Sequence, residues 1–570
     1  MTITLVFLYV GIFAALFSAI TRFVRKPKNA VVDYLKNFIG GLLIFSGFVK
    51  AVDPIGTALK MEEYFGEFAK IFSPSISWVF PMFKEQALFW SIVTIVFEIV
   101  LGINFLFGVQ RKSSTWSYLM LMGFFTALTG YTCLTGYTPG AMGFILILLT
   151  LISGLFLALS NKGKWSWVYG LGSVLLAFLV NFLLTEVARF HWYVDVPNSL
   201  GNVSEAGKTA LQACSLSITD AGSKFVFNQF NPVAMKITDC GCFGDFLKLN
   251  PCTSFYKDLF LLPFGFIFLF LYKQITPLNA SKSADYIVPV LATVLTTAFC
   301  LYNVYLSEPI IDFRPFSEGV SILEAQKAAN ADIPKVSKKY TILGDNCSKI
   351  ELTEDEYQSD KNQHLWDTDK YPVIKTDEVI LHEGSKSKIK DFVLNDIVTH
   401  NNVADSILQR PNYKLFVVAY DLHVTSTPYT KHYQDSIFRI DTTYMNDSLK
   451  TMKIAKNLVR IDNKSMETFN NKYDSEFVKI FTTKINPLVE AAQKKKWDTF
   501  ALTRLYDPSQ INDFRHEAQT LYPFYMADEK LVKTIMRSNP GLILMKGDKI
   551  IKKWHWKQIP QAFDELKAFQ

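Results

Sequence analysis

The residues best equipped for chemistry lie in one stretch, ITDCGCFGDFLKLNPC, residues 237–252. A single glycine separates its Cys240 and Cys242. A disulfide closed across such a turn is strained, because its two Cα atoms barely reach the normal separation. Strain raises the reduction potential and makes the bond labile, which suits thiol exchange. The same two thiols could instead bond distant partners such as Cys214 or Cys252 and staple the surrounding loops. Metal binding is the third reading, and no metal is expected. Four-thiolate zinc sites use separated pairs, and no histidine adjoins this cluster.

A second set of reactive groups sits in apolar surroundings. Lys50 and Asp53 close one apolar run, Glu98 lies inside another, and Glu186 ends a third. Charge at membrane depth is costly and faces protein or water. Glu98 can stay protonated, pair with Lys50, or hydrogen-bond a polar headgroup or a quinone. The plainer reading is a polar clamp between helices, with Lys50 snorkelling. Cys240, Cys242 and Glu98 are the candidate catalytic residues, and Lys50 and Glu98 the candidate cofactor-binding ones.

The elements that must hold these groups are membrane spans. A hydrocarbon core of about 30 Å needs roughly 20 apolar helical residues, and the first 307 residues repeat such runs, apolar all round. Eight spans are predicted, at about 3–22, 35–54, 84–107, 116–134, 140–159, 166–188, 258–275 and 285–306. Pro54 marks the stop of the second, and residues 55–83 and 189–257 read as large loops. Arg22, Arg25, Lys26, Lys28, Arg111, Lys112, Lys162, Lys164, Lys273 and Lys282 all fall on one side of an eight-span bundle, which is then cytoplasmic. Both termini, the large loops and every cysteine except Cys300 lie on the other side, where disulfides persist. Cys300 reads as a buried apolar filler of the last span. The N-terminus lacks a basic region and a small-residue cleavage site, so it reads as the first span rather than a cleaved signal. The net charge of +7 comes without a dense Lys/Arg block paired to aromatics, which argues against a nucleic-acid partner.

Residues 308–410 read as a polar, β-rich linking region, with a strand at PVIKTDEVILH, a helix near 317–331, and Cys347 without a local partner. Residues 411–570 show a clearer order. KLFVVAYDL and TFALTRL are strands. Helices are expected at 445–460, at 485–496, from a Ser509 cap onward, and at 528–536. NPGLILMKGDKIIKKWHW is a hairpin turning at Lys546–Gly547–Asp548. This order predicts an α/β sandwich.

Several of these stretches resemble known families. FIGGLLIFSGFVKAVDPIGTALKMEEYF at 38–65, Glu98, FTALTGYT at 125–132 and the Cys240–Cys242 segment resemble the DoxX/MauE-like membrane family. Its members are four-helix proteins linked to thiosulfate–quinone oxidoreduction or to disulfide formation in a periplasmic enzyme. Relative to that family, this chain adds a first span and residues 135–230. The tail resembles a thioredoxin-like domain, with Pro540 where that family carries a cis-proline and LHVTSTPYT at 422–430 where active members carry CxxC. No cysteine follows Cys347, so the tail has no thiolate for exchange. His423 and His432 stand near that loop, and the region around Pro540 suits peptide or protein docking. A DoxX-like bundle followed by a CxxC-free thioredoxin-like tail resembles a family type of Bacteroidota.

The resulting expectation is a polytopic α-helical bundle (1–307, with the outer insertion at about 189–257), a linking region and a periplasmic thioredoxin-like domain in an inner membrane. It serves a thiol/quinone-linked redox or protein-maturation system, with quinone as cofactor and membrane lipid and envelope proteins as partners. The alternative is a non-enzymatic scaffold or accessory subunit whose tail docks other proteins. A transporter is weaker, because no inverted repeat is visible.

Overall fold

The apolar runs become helices where caps and prolines delimit them. The computed structural model describes residues 2–134, 237–446 and 451–567, apart from 72–76, 238, 279–280, 333–334, 346–347, 368–369, 372 and 383–387. The spans expected at 140–159 and 166–188, with Glu186, Cys214 and Cys347, lie outside the described residues. The chain divides into two units, Met1–Ser317 with Glu324–Lys390, and Glu318–Leu323 with Asp391–Gln570.

In the first unit, Thr2 caps α1 (Ile3–Val24) and the Asn29 side chain caps α2 (Ala30–Val52). Pro54 does end α2, but it also opens α3 (Pro54–Ile71). Proline lacks only an N–H that the first turn leaves unpaired anyway. The loop expected at 55–83 is therefore corrected: α3 and α4 (Val79–Glu85) occupy most of it. Next come α5 (Ala87–Phe107), α6 (Arg111–Leu134), a hairpin of β1 (Cys240–Phe243) and β2 (Leu247–Leu249), α7 (Pro251–Leu271) and α8 (Ala284–Tyr305). Among the described residues, five helices (α1, α2, α5, α7 and α8) are long and apolar enough to cross a membrane.

Helix α2 is the most enclosed of the five. Its Gly40 meets Gly102 of α5 so closely that a Cβ on either would stand 2.8 Å from the other's carbonyl oxygen. Cys300 is fully buried against Ala51, Ile95 and Ile99. A three-stranded antiparallel sheet, β4–β3–β5, is formed by Lys349–Thr353, Lys335–Leu343 and Val373–His382. The helix expected near 317–331 is Ile322–Ala331.

The second unit is α/β with a mixed six-stranded sheet ordered β13–β12–β7–β10–β11–β6. Strands β7 (Tyr413–Val418), β10 (Asp498–Arg504) and β11 (Phe524–Ala527) are parallel. Strands β12 (Gly541–Lys546) and β13 (Lys549–His555) form the expected hairpin, and β6 (Asn395–Asp396) closes the other edge. The Asn539–Pro540 peptide is cis. Asn486–Lys494 is helical as expected.

Three expectations need correction here. The described residues of the helix expected at 445–460 are strand instead: β8 (Val424–Asn446) pairs with β9 (Thr451–Tyr473) in a long two-stranded ribbon. Cross-strand pairing decides such a segment, and a local helical period cannot reveal it. The ribbon also takes up most of the expected 422–430 loop. Finally, the helix Pro508–Glu517 is capped by Asp507, with Gln510 completing the capping box, rather than by Ser509.

Candidate functional site

The two cysteines sit on a hairpin with little freedom. Gly244, at φ +53°, turns the chain, and its N–H donates to the Gly241 carbonyl. Phe243, Leu247 and Leu249 are buried among the helices and pull the hairpin against them. Asn250 then caps α7, with Pro251 in the first turn. Cys252 is disulfide-bonded to Cys133 at the end of α6. The suggestion that Cys252 partners Cys240 or Cys242 is thus overturned. Cys240 and Cys242 are both free thiols, with Sγ atoms 2.8 Å apart.

The pair forms part of the wall of a cavity of about 410 Å³. Helical spacing explains the rest of the lining. Thr57, Lys60, Met61 and Tyr64 share one face of α3, Trp90, Thr94 and Glu98 one face of α5, and Ser46 and Lys50 one face of α2. Phe65, Phe83 and Phe125 supply apolar wall.

Glu98 and Lys50, singled out by the sequence, form a buried ion pair with each other. The Ser46 hydroxyl lies 3.0 Å from Glu98 Oε1 and 2.9 Å from the Cys242 carbonyl oxygen. With one proton it donates to one of them at a time. The clamp is therefore one hydroxyl away from the thiol hairpin. Asp53 caps the first turn of α3 by accepting from the Gly56 N–H at 3.0 Å.

A second buried pair went unmarked in the sequence. Lys257 Nζ lies 2.9 Å from Asp258 Oδ1, and Thr129 donates to Asp258 Oδ2 at 3.0 Å. Lys257 also stands 5.4 Å from the Phe243 ring centroid. The available signal was a Lys–Asp couple at the mouth of an apolar run, where charge is costly. Lys60 bonds both Glu63 and Asp239.

These neighbours separate the two thiols. The hydrogen bond from Cys242 draws the Cys240 thiol down to about 6, against its burial, and the Lys257 ammonium adds to the effect. Cys242, as donor beside a thiolate, is pushed well above the ordinary thiol range by that hydrogen bond and by burial. One sulfur is thus a nucleophile near neutrality and the other holds its proton. Burial, together with Cys240, keeps the Tyr64 hydroxyl protonated.

The Thr94 hydroxyl donates to the Trp90 carbonyl one turn back, and the Thr129 hydroxyl has the Phe125 carbonyl as the alternative acceptor to Asp258. The Thr57 Oγ1 and the Trp90 Nε1 are buried on the same cavity without a hydrogen-bond partner among the described residues. Buried donors normally find one, so these two fit an acceptor-bearing ligand. The size also fits, since pockets of about 300–1,000 Å³ take small organic molecules. Among the described residues no group of His, Cys, Asp or Glu is placed to hold a metal ion.

No family model, no curated protein and no solved structure matches the chain.

Proposed function

We propose that this protein is an inner-membrane component of a periplasmic thiol/quinone-linked redox or protein-maturation system. It is a DoxX/MauE-like eight-span bundle carrying a thioredoxin-like tail without CxxC, with both termini and the tail in the periplasm. The observation that carries the reading is the thiol pair, 2.8 Å apart, on the wall of an apolar cavity where the Thr57 and Trp90 donors have no partner among the described residues. The parallel β11–β10–β7 strands flanked by the antiparallel β12–β13 hairpin support the reading of the tail. The Cys133–Cys252 bond supports a non-cytosolic face for the hairpin.

A quinone held in the cavity would supply a two-electron, two-proton acceptor, with the hydroquinone as its reduced form. The protein's own part is to close an S–S bond between Cys240 and Cys242. Cys242 gives up its S–H proton. Cys240 is already a thiolate, so one proton is taken up to complete the balance. Lys257, held by Asp258, offsets the thiolate charge, and the Lys50–Glu98 clamp holds α2 and α5 around the cavity. An outer dithiol reopens the Cys240–Cys242 bond by exchange and leaves as a disulfide.

Thiol trapping in quinone-depleted cells tests this: Cys240 and Cys242 should accumulate reduced, and an unchanged redox state would end the proposal. A membrane-impermeant label should reach the tail in intact cells, and a tail facing the cytosol would end the periplasmic assignment.

A scaffold reading is favoured by one separate observation. The β8–β9 ribbon has 23 residues per strand and exposes Phe438, Ile440, Leu458, Val459 and Ile461, more than a lone two-stranded ribbon keeps comfortably in water. A mild-detergent pull-down that recovers no stable partner counts against it.

A further inference from the structure

The cavity has polar groups at two levels, and their spacing is set by α3. Thr57 and Tyr64 are seven residues apart, two turns along the same face. At 1.5 Å per residue their backbones stand about 10.5 Å apart. The Tyr64 hydroxyl is at the Cys240 level. The other level is closed by α5. Ser91 Oγ donates to the Pro54 carbonyl at 2.8 Å, which ties the start of α3 to α5 one residue after Trp90. Two donors are therefore left at that level, Thr57 Oγ1 and Trp90 Nε1, both buried and both without a partner among the described residues.

A ligand filling this space has an acceptor at each end and an apolar body between. In a 1,4-quinone the two carbonyl oxygens are about 5 Å apart, given C=O bonds of about 1.2 Å on opposite ring carbons. Adding one hydrogen bond of about 2.8 Å at each end gives about 11 Å from donor to donor. That is of the same order as the backbone rise between Thr57 and Tyr64, whose side chains both line the cavity.

We propose that Thr57 and Trp90 are the positioning residues for the electron acceptor. Their Oγ1 and Nε1 donate to the far carbonyl of a 1,4-quinone, which sets its near carbonyl beside Cys240 and Tyr64. This rests on the thiol–quinone reading and adds the acceptor's orientation to it. A 1,2-quinone, or an acceptor with one carbonyl, leaves the Thr57–Trp90 level unpaired, and a buried donor without a partner weakens binding. The two residues therefore also set the preference for para-quinones.

Equilibrium binding of 2,3-dimethyl-1,4-naphthoquinone to the oxidised full-length protein in detergent tests this without turnover. Thr57→Val and Trp90→Phe should each weaken binding about five- to twentyfold, as expected for one lost hydrogen bond in a buried site. Thr57→Ser, which keeps the hydroxyl, should bind like the wild type. Retained Cys133–Cys252 bonding and an unchanged size-exclusion profile identify folded variants. Wild-type affinity in folded Thr57→Val and Trp90→Phe overturns the inference and leaves the thiol–quinone reading standing. A wild-type protein that binds no quinone at all overturns both.

Discussion

Replacing Cys242 by Ala or by Ser separates the electrostatics of Cys240 from disulfide chemistry, because neither variant can close the bond. Ser keeps an O–H donor beside Cys240, and Ala removes it. The native thiol is drawn from 9.0 to about 6, first of all by that hydrogen bond. The difference is about 4 kcal/mol in favour of the thiolate. A return to the ordinary 9.0 lowers the thiolate fraction at pH 7 from about nine-tenths to about one-hundredth. The rate contrast is much smaller than that. Thiolate nucleophilicity rises with pKa at a slope of about 0.4–0.5, so each thiolate in the Ala variant reacts about twentyfold faster. The two effects leave a net difference of only about fourfold at pH 7. The informative quantity is thus the midpoint of the pH profile, not the rate at one pH. Iodoacetamide labelling of Cys240, followed by peptide-resolved mass spectrometry from about pH 4 to about pH 10, reads it directly. The expected midpoints are near 6 for Cys242→Ser and above about 8 for Cys242→Ala. Coincident midpoints would refute the assignment of the hydrogen bond as the main cause.

Lys50→Met and Glu98→Gln should each cost about 3–5 kcal/mol, because each leaves a buried charge or dipole unpaired. The double variant should cost less than the sum, and strict additivity in detergent unfolding would show that the pair is not coupled. Gly102→Ala drives a methyl against the Gly40 carbonyl and should cost about 1–3 kcal/mol, seen as a lower Tm. In the tail, Lys414 is fully buried and donates to the carbonyls of Arg410, Asn412 and Gly547 at 2.5, 3.3 and 2.7 Å. Lys414→Met should therefore destabilise by about 2–4 kcal/mol through three lost charge-assisted bonds, and an unchanged urea midpoint would contradict that accounting.

Much of the local structure was legible because its causes are local. Apolar runs of about one bilayer's length announced α1, α2, α5, α7 and α8, and Lys–Gly–Asp announced the β12–β13 turn. The errors occurred where a signal has two meanings or a distant partner. Pro54 is both a stop and a first-turn residue, so reading it only as a stop lost α3, which supplies a whole cavity wall. The ribbon of β8 and β9 was lost because each strand is defined by the other.

The candidate site divides in the same way. Sequence alone determined that Cys240 and Cys242 share a turn, that Glu98 and Lys50 are charges in apolar surroundings, and that the tail carries no thiol after Cys347. Residue type and spacing suffice for those statements. Only the tertiary structure decided that Glu98 meets Lys50, that Cys252 belongs to Cys133, and that Lys257, Asp258, Tyr64, Thr57 and Trp90 surround one cavity. Those groups come from helices far apart in the chain, and a buried polar side chain carries no local mark of the partner it meets or lacks.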